Sequence, residues 1–307
     1  MEALLSLSFG NLSSRDTTRI RKGIRQIEGL LAQICLSGSK LSPNKRQGSR
    51  ELAGQQDRGN DCRHLKDLRK DAAFREFFRL QEGFRWNVAS RLIATLERLL
   101  GHPPSQTTNA LILATMDILQ GLLLLHPPSR TLFNREDYMN LLLDLLDPSN
   151  NPPENQSQAL LVLVTSLLDC PANTRTFEEV DGLLTVTSLF KSRSTVKEVK
   201  MRTLEFLYFY LMPEAPPSTS SSAPNTAVLQ RNPSKIDALA GHARTHSGDS
   251  DRMDVDEDDQ SEQSLRKTKT TEEKQKLLGR HLGNVAELVR DLRENAIFAA
   301  AAGGSAG

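Results

Sequence analysis

Aromatic residues are scarce in this chain: they make up 5% of its 307 residues, with a single tryptophan, Trp86. A groove that reads basic peptides needs acidic residues and Asn/Trp pairs laddered along successive helices, and one tryptophan cannot build that ladder. Cysteine is equally sparse. Cys35, Cys62 and Cys170 are odd in number, widely spaced and free of any Cys-x-x-Cys pair. That pattern speaks against a disulfide framework and a thiolate zinc site, and it points to an intracellular protein. Long apolar runs are missing too. The most apolar stretch, residues 111–125, contains Asp117 and Gln120 and falls short of the roughly 20 residues that span a bilayer. It is expected to be a buried core helix, so no membrane span is predicted. Residues 1–10 hold no basic n-region and no convincing cleavage site, so no signal peptide is expected and the sequons at Asn11 and Asn155 carry no meaning.

An excess of one charge is absent as well. Lys and Arg number 39 against 38 Asp and Glu, a net charge of +1, so the field of the whole chain gives no reason to expect a nucleic-acid partner. Locally the charge is uneven: Arg15, Arg19, Arg21, Lys22 and Arg25 make the start basic, and residues 249–259 are strongly acidic. The basic cluster is expected to be a solvated helix face.

Catalytic patterns are likewise missing. The chain contains no G-x-G-x-x-G, no Walker loop, no G-x-S-x-G elbow and no H-E-x-x-H. His64, His102, His126 and His281 stand alone, while His242 and His246 have metal-compatible spacing but no cysteine nearby. The carboxylates of Asp249, Asp251, Asp254, Asp256, Glu257, Asp258 and Asp259 lack the glycine and the closing glutamate of a calcium loop. The sequence therefore predicts no enzyme, no catalytic, cofactor-binding or metal-ligating residue, no cofactor and no small-molecule substrate. It assigns no partner-contact residue either.

What the chain does have is helical rhythm. Trp86, Ala89, Leu92, Ile93, Leu96, Leu99 and Leu100 share one broad helix face, as do Leu111, Ala114, Ile118, Leu122 and Leu125. Leu160, Leu163, Val164, Leu167 and Leu168 form a third stripe, and Val196, Val199, Thr203, Leu207, Tyr210 and Leu211 a fourth, ended by Pro213. A motif recurs at intervals of roughly 45 to 55 residues: Phe78 to Gly83-Phe84, Phe133 to Tyr138-Met139, and Phe177 to Gly182-Leu183. His126-Pro-Pro-Ser-Arg130-Thr and Cys170-Pro-Ala-Asn-Thr-Arg175-Thr precede the second and third copies and are expected to stop one helix while the aromatic pins the next. Units that cannot bury their apolar face alone must stack. The predicted fold is all-α, an armadillo/HEAT-like stacked helical repeat, with an irregular helical bundle as the alternative.

Composition divides the chain into a helical segment over 1–36, a disordered insert over 37–60 and an armadillo-like core over 61–212. A disordered linker follows over 213–264, carrying the acidic run 249–259, then a C-terminal amphipathic helix over 265–298 and a disordered tail over 299–307. In that last helix Leu278, Leu282, Val285, Leu288, Val289 and Leu292 share a face. A lone helix of this length is marginal in water, so it must dock, either as a cap on the core or as a partner-binding element.

Read together, four blocks carry a resemblance. They are Phe77-Phe-Arg-Leu-Gln-Glu-Gly-Phe-Arg-Trp-Asn-Val88, Leu123-Leu-Leu-His-Pro-Pro-Ser-Arg130, Val199-Lys-Met-Arg-Thr-Leu-Glu-Phe-Leu-Tyr-Phe-Tyr-Leu211, and Thr271-Glu-Glu-Lys-Gln-Lys-Leu-Leu-Gly-Arg-His-Leu-Gly-Asn-Val285 with Glu287-Leu-Val-Arg-Asp-Leu-Arg293. In this order they resemble the fungal cell-division-control protein fourteen family, the septation-initiation-network component, which is distinct from the phosphatase that shares its name. The resemblance implies a non-catalytic partner of a germinal-centre-type protein kinase, cytoplasmic and recruited to the spindle pole body. An armadillo-type adaptor for another protein partner is the alternative.

Overall fold

A computed structural model of the chain describes residues 1–36, 68–214 and 268–290, and every regular element among them is helical. The insert at 37–60, the acidic run and the tail at 299–307 lie outside the described residues, together with Cys62, His64, His242, His246 and Leu292. The helices are α1 (Glu2–Leu12), α2 (Thr17–Leu36), α3 (Ala72–Glu82), α4 (Val88–Leu100), α5 (Gln106–Leu125), α6 (Glu136–Asp144), α7 (Pro153–Leu167), α8 (Pro171–Glu179), α9 (Gly182–Lys191), α10 (Lys197–Leu211) and α11 (Thr271–Leu278). Short 3-10 segments occupy Phe84–Trp86 and Pro127–Asn134.

The core follows from the stripes. α2 packs on α5, α5 on α7, α7 on α10 and α10 on α11, with α1 and α4 lying beside this row. Leu92, Ile93, Leu96 and Leu99 of α4 are buried, as are Leu160, Leu163 and Leu167 of α7. α5 packs against α2, α4 and α7. It runs 20 residues from the Ser105 cap, whose hydroxyl accepts from Thr108 N, so the predicted shortness of the apolar stretch is not what separates it from a bilayer span. Its burial decides: Leu111, Ile112, Met116, Leu119, Leu122 and Leu123 are all buried in one core. On α10 the predicted stripe holds from Val199 to Leu211 but not at Val196, which caps the helix and is 44% exposed, while the fully buried Phe206 joins it.

Residues 1–36 contribute as much as the later helices. Ile20, Ile24, Ile27, Leu31 and Ile34 recur on one face of α2 and are buried in the same core. Gly23 sets how close α1 can come. A methyl group there would stand 3.0 Å from both Leu12 N and Ser8 O, so glycine lets the two backbones come this close without a shift. Arg15, Arg19, Arg21, Lys22 and Arg25 are all exposed on the opposite side, the solvated face expected of them.

The C-terminal segment departs from the single helix predicted over 265–298. α11 starts from a capping box, Thr270 and Glu273 each accepting from the other's backbone N–H, and ends at Gly279; residues 279–284 form turns, and helix resumes at 285–290. Gly279 and Gly283 explain the break, since each glycine disfavours helix by about 1 kcal/mol relative to alanine. Both pieces still turn Leu278, Leu282, Val285, Leu288 and Val289 into the core.

Candidate interaction surface

Arginines tie the helix ends together. Arg98 of α4 donates to Ser14 O at 3.2 Å and to Leu12 O, covering the carbonyl end of α1. Arg130 donates from Nε to Leu123 O at 3.0 Å, near the end of α5, and from Nη1 to Leu168 O at 2.8 Å, just past α7. Both sites are helix C-termini, where unpaired carbonyls carry partial negative charge and a buried cation is favoured. Asn173 completes this junction by donating Nδ2 to Arg130 O at 2.8 Å and to Ser166 O. The two Pro-containing turns thus do more than stop helices. They begin short helical segments of their own, and the arginine and asparagine within them fasten the neighbouring ends.

The predicted recurrence holds in its later two copies and fails in the first. Phe133 and Phe177 are wholly buried, and Phe177 meets Phe206 edge to face at 5.5 Å. Phe78 is only half-buried, with Phe77 taking the core position, and Phe84 lies 82% exposed. Gly83 and Gly182 are not equivalent either. A methyl group at Gly182 would sit 2.2 Å from the Phe177 ring, whereas one at Gly83 meets nothing closer than Leu80 O at 3.7 Å.

Phe84 belongs to a turn that buried amides hold rigid. Gln81 donates Nε2 to Trp86 O at 3.1 Å and accepts from Val88 N at 2.8 Å, while Asn87 donates Nδ2 to Gln81 O at 2.7 Å. Trp86 rests on Phe9 of α1 with ring centroids 6.3 Å apart, under the Arg85 guanidinium. A fixed backbone thereby presents an aromatic ring to solvent, and such rings serve as anchors in protein interfaces because little motion is lost on contact.

A second cluster fastens the C-terminal segment. Arg175 of α8 is 2.9 Å from Glu178 Oε2 and pairs with Glu214; Lys274 of α11 reaches Glu214 Oε1 at 3.1 Å and Met212 O at 3.0 Å; Lys269 pairs with Glu178. The Tyr210 hydroxyl donates to Glu178 Oε1 at 2.7 Å. Burial pushes the Tyr210 phenol well above its ordinary range and the Glu178 charge adds to this, so the phenol stays protonated. Burial also pulls the Lys274 ammonium down, against the pull of Glu214 in the other direction. Glu214 falls within the predicted linker at 213–264, yet its side chain is as buried as that of Arg175. Its amide donates to Lys269 O at 3.3 Å, and Lys269 N donates to Glu214 Oε2 at 2.9 Å, so the described stretches on either side of residues 215–267 meet here.

Among the described residues no three His, Cys, Asp or Glu side chains gather as a metal site. His102 is exposed, and the His281 carbonyl accepts from Lys191. His126 is neither solitary nor free: its Nδ1 lies 2.8 Å from Ser129 Oγ and its ring meets Phe78 at 4.4 Å. Burial lowers its pKa to about 4, so the ring is neutral at physiological pH. Cys35 and Cys170 are free thiols, both raised by burial.

The described part of the molecule is thus an all-helical body with one rigidly presented aromatic turn and a C-terminal segment clamped by buried ion pairs, a protein whose surface offers contact area. The protein-family model described as "Cell division control protein 14, SIN component" matches residues 1–298, and the chain belongs to that family. The curated protein "Cell division control protein 14" of Schizosaccharomyces pombe is 29% identical over 223 residues, which cover 70% of this chain and 80% of the relative. No solved structure matches the chain. Family membership makes it a SIN component in cell division control.

Proposed function

We propose that the chain is a non-catalytic scaffold subunit that binds a germinal-centre-type protein kinase of the septation initiation network and supports that kinase's activity or its placement at the spindle pole body. The observation that carries this reading is the family match across residues 1–298, which takes in α1–α11 and so concerns the whole fold. The order of packing supports it. Each of α2, α5, α7 and α10 lies against the next in chain order, which suits an armadillo-like stack, and such stacks present extended faces to partners. A stable partnership buries on the order of 1,600 Å² in total, an area one side of such a row can supply. The chain works from the cytoplasm and is recruited to the spindle pole body.

The test is co-expression of the full chain with candidate kinases of that class, followed by purification and size-exclusion chromatography. A complex of near-equal stoichiometry is expected, with depletion of the chain reducing kinase at the spindle pole and delaying septation. If the folded chain captures no kinase of this class, the reading fails while the family assignment stands.

A further inference from the structure

α3 and the end of α5 enclose an open groove of about 770 Å³ between them. Its apolar lining comes from Phe78, from Leu124, and from Pro127 and Pro128 of the following turn. Leu124 is 44% exposed there, next to two prolines that offer no N–H to water or to a partner strand. The charged lining is one-sided. Arg69, Arg75 and Arg79 face a single carboxylate, Glu82, and none of the three arginines is held in an ion pair among the described residues. Arg75 and Arg79 stand one helical turn apart on α3 and are exposed, so they share one side of the groove. The Asp71 cap fixes this helix: its carboxylate accepts from Ala73 N at 2.7 Å and from Phe74 N at 3.3 Å.

We infer that this groove docks an acidic segment of a partner protein in which apolar side chains alternate with Asp or Glu. Charge complementarity selects the occupant. Exposed apolar surface beside unpaired guanidiniums is not covered well by a neutral or basic segment, whereas carboxylates accept two parallel hydrogen bonds from each arginine while neighbouring apolar side chains cover Leu124 and the prolines. The volume lies within the range of binding clefts, and the open side admits a continuing polypeptide where an enclosed pocket would admit only a small molecule. The inference is separate from the kinase reading: a chain that captures the kinase but ignores acidic peptides loses this inference alone.

Fluorescence anisotropy with the full chain tests it. The probe is a labelled 12-residue peptide alternating Glu or Asp with Leu or Phe; its controls are the same peptide with all acids changed to amides and a Glu-only peptide of equal length. Both controls are expected to bind at least tenfold more weakly, and raising salt from 0.05 to 0.5 M is expected to weaken the probe as well. Arg75→Glu with Arg79→Glu should lower its affinity at least tenfold with the thermal midpoint unmoved, because both side chains are exposed. Leu124→Asp supplies a second variant that touches the apolar half. Equal binding of the amide peptide, or binding untouched by either variant, overturns the proposal. So does binding that emerges only when Asp249, Asp251, Asp254, Asp256, Glu257, Asp258 and Asp259 are changed to amides, since the chain's own acidic run is then the occupant.

Discussion

Two residues carry constraints that their types alone do not announce. At Gly182 the Phe177 ring lies close against the start of α9, and a Cβ would meet ring carbons at 2.2 Å and Phe177 O at 2.5 Å. The ring is packed on Phe206 and Tyr210 and the other close atom is backbone, so relief is costly and Gly182→Ala is expected to lower stability by about 2 to 3 kcal/mol, in the upper part of what overpacking costs. Gly83→Ala, whose Cβ would make only an ordinary contact with Leu80 O at 3.7 Å, is expected to change the urea midpoint little. His126 sets a pH dependence. Its folded pKa of about 4 lies below the ordinary value of 6.5, so the unfolded chain binds the proton more readily. Its contribution to stability is whole above about pH 6.5 and is lost as pH falls toward about 4. By pH 5 the loss amounts to about 2 kcal/mol, at about 1.4 kcal/mol per pKa unit. His126→Gln, neutral throughout, is expected to remove that part of the decline in urea titrations at pH 7.5 and 5; an equal decline in both proteins would refute it.

Elements are joined by apolar helix faces and, at several helix ends, by polar side chains that bridge them, and only the first kind could be read in advance. The stripes of α4, α5, α7 and most of α10 follow from spacing alone, because a buried helix face needs apolar residues every three or four positions. The Arg175–Glu178–Glu214–Lys269–Lys274 cluster left no such signal. Its members come from α8, from the end of α10 and from beyond residue 267, and periodicity says nothing about charges that meet only in the fold. Arg69, Arg75 and Arg79 drew no reading from the sequence, because the apolar half of their groove is supplied by Leu124, Pro127 and Pro128, far along the chain. The ion cluster makes a measurable claim. Glu214→Ala leaves Lys274 and Arg175 buried with one carboxylate, and breaking such a pair costs about 3 to 5 kcal/mol if nothing moves. Undocking of residues 268–290 sets a ceiling on that cost, since the lysines then regain water. Amide exchange over 271–290 is therefore expected to accelerate strongly in Glu214→Ala while exchange in α5 stays slow. The double variant Glu214→Leu with Lys274→Met is expected to recover part of the loss. Uniform acceleration across all helices would show that the segment and the core unfold as one.

At the scale of the whole molecule, residues 1–36 and 268–290 lie at the two ends of one continuous packing row, α2 against α5 at one end and α11 against α10 at the other. The C-terminal segment brings buried Leu278, Leu282, Val285, Leu288 and Val289 and the cations of Lys269 and Lys274, so it acts as part of the folded body and closes the α10 end. Residues 215–267 then form a connection whose flanks are already hydrogen-bonded to each other, through Glu214 and Lys269. If that connection contributes only the entropy of closing a loop, its length matters logarithmically: the ordering term scales as (3/2)RT ln n. Replacing residues 215–267 with eight glycine and serine residues shortens the loop between about sixfold and sevenfold, so the folded state should gain between about 1 and 2 kcal/mol. The gain should appear as a higher urea midpoint with an unchanged slope, because no folded surface is added or removed. A loss of stability instead would mean that residues 215–267 contribute contacts to the folded body, and the body would then extend beyond the row that α2, α5, α7, α10 and α11 define.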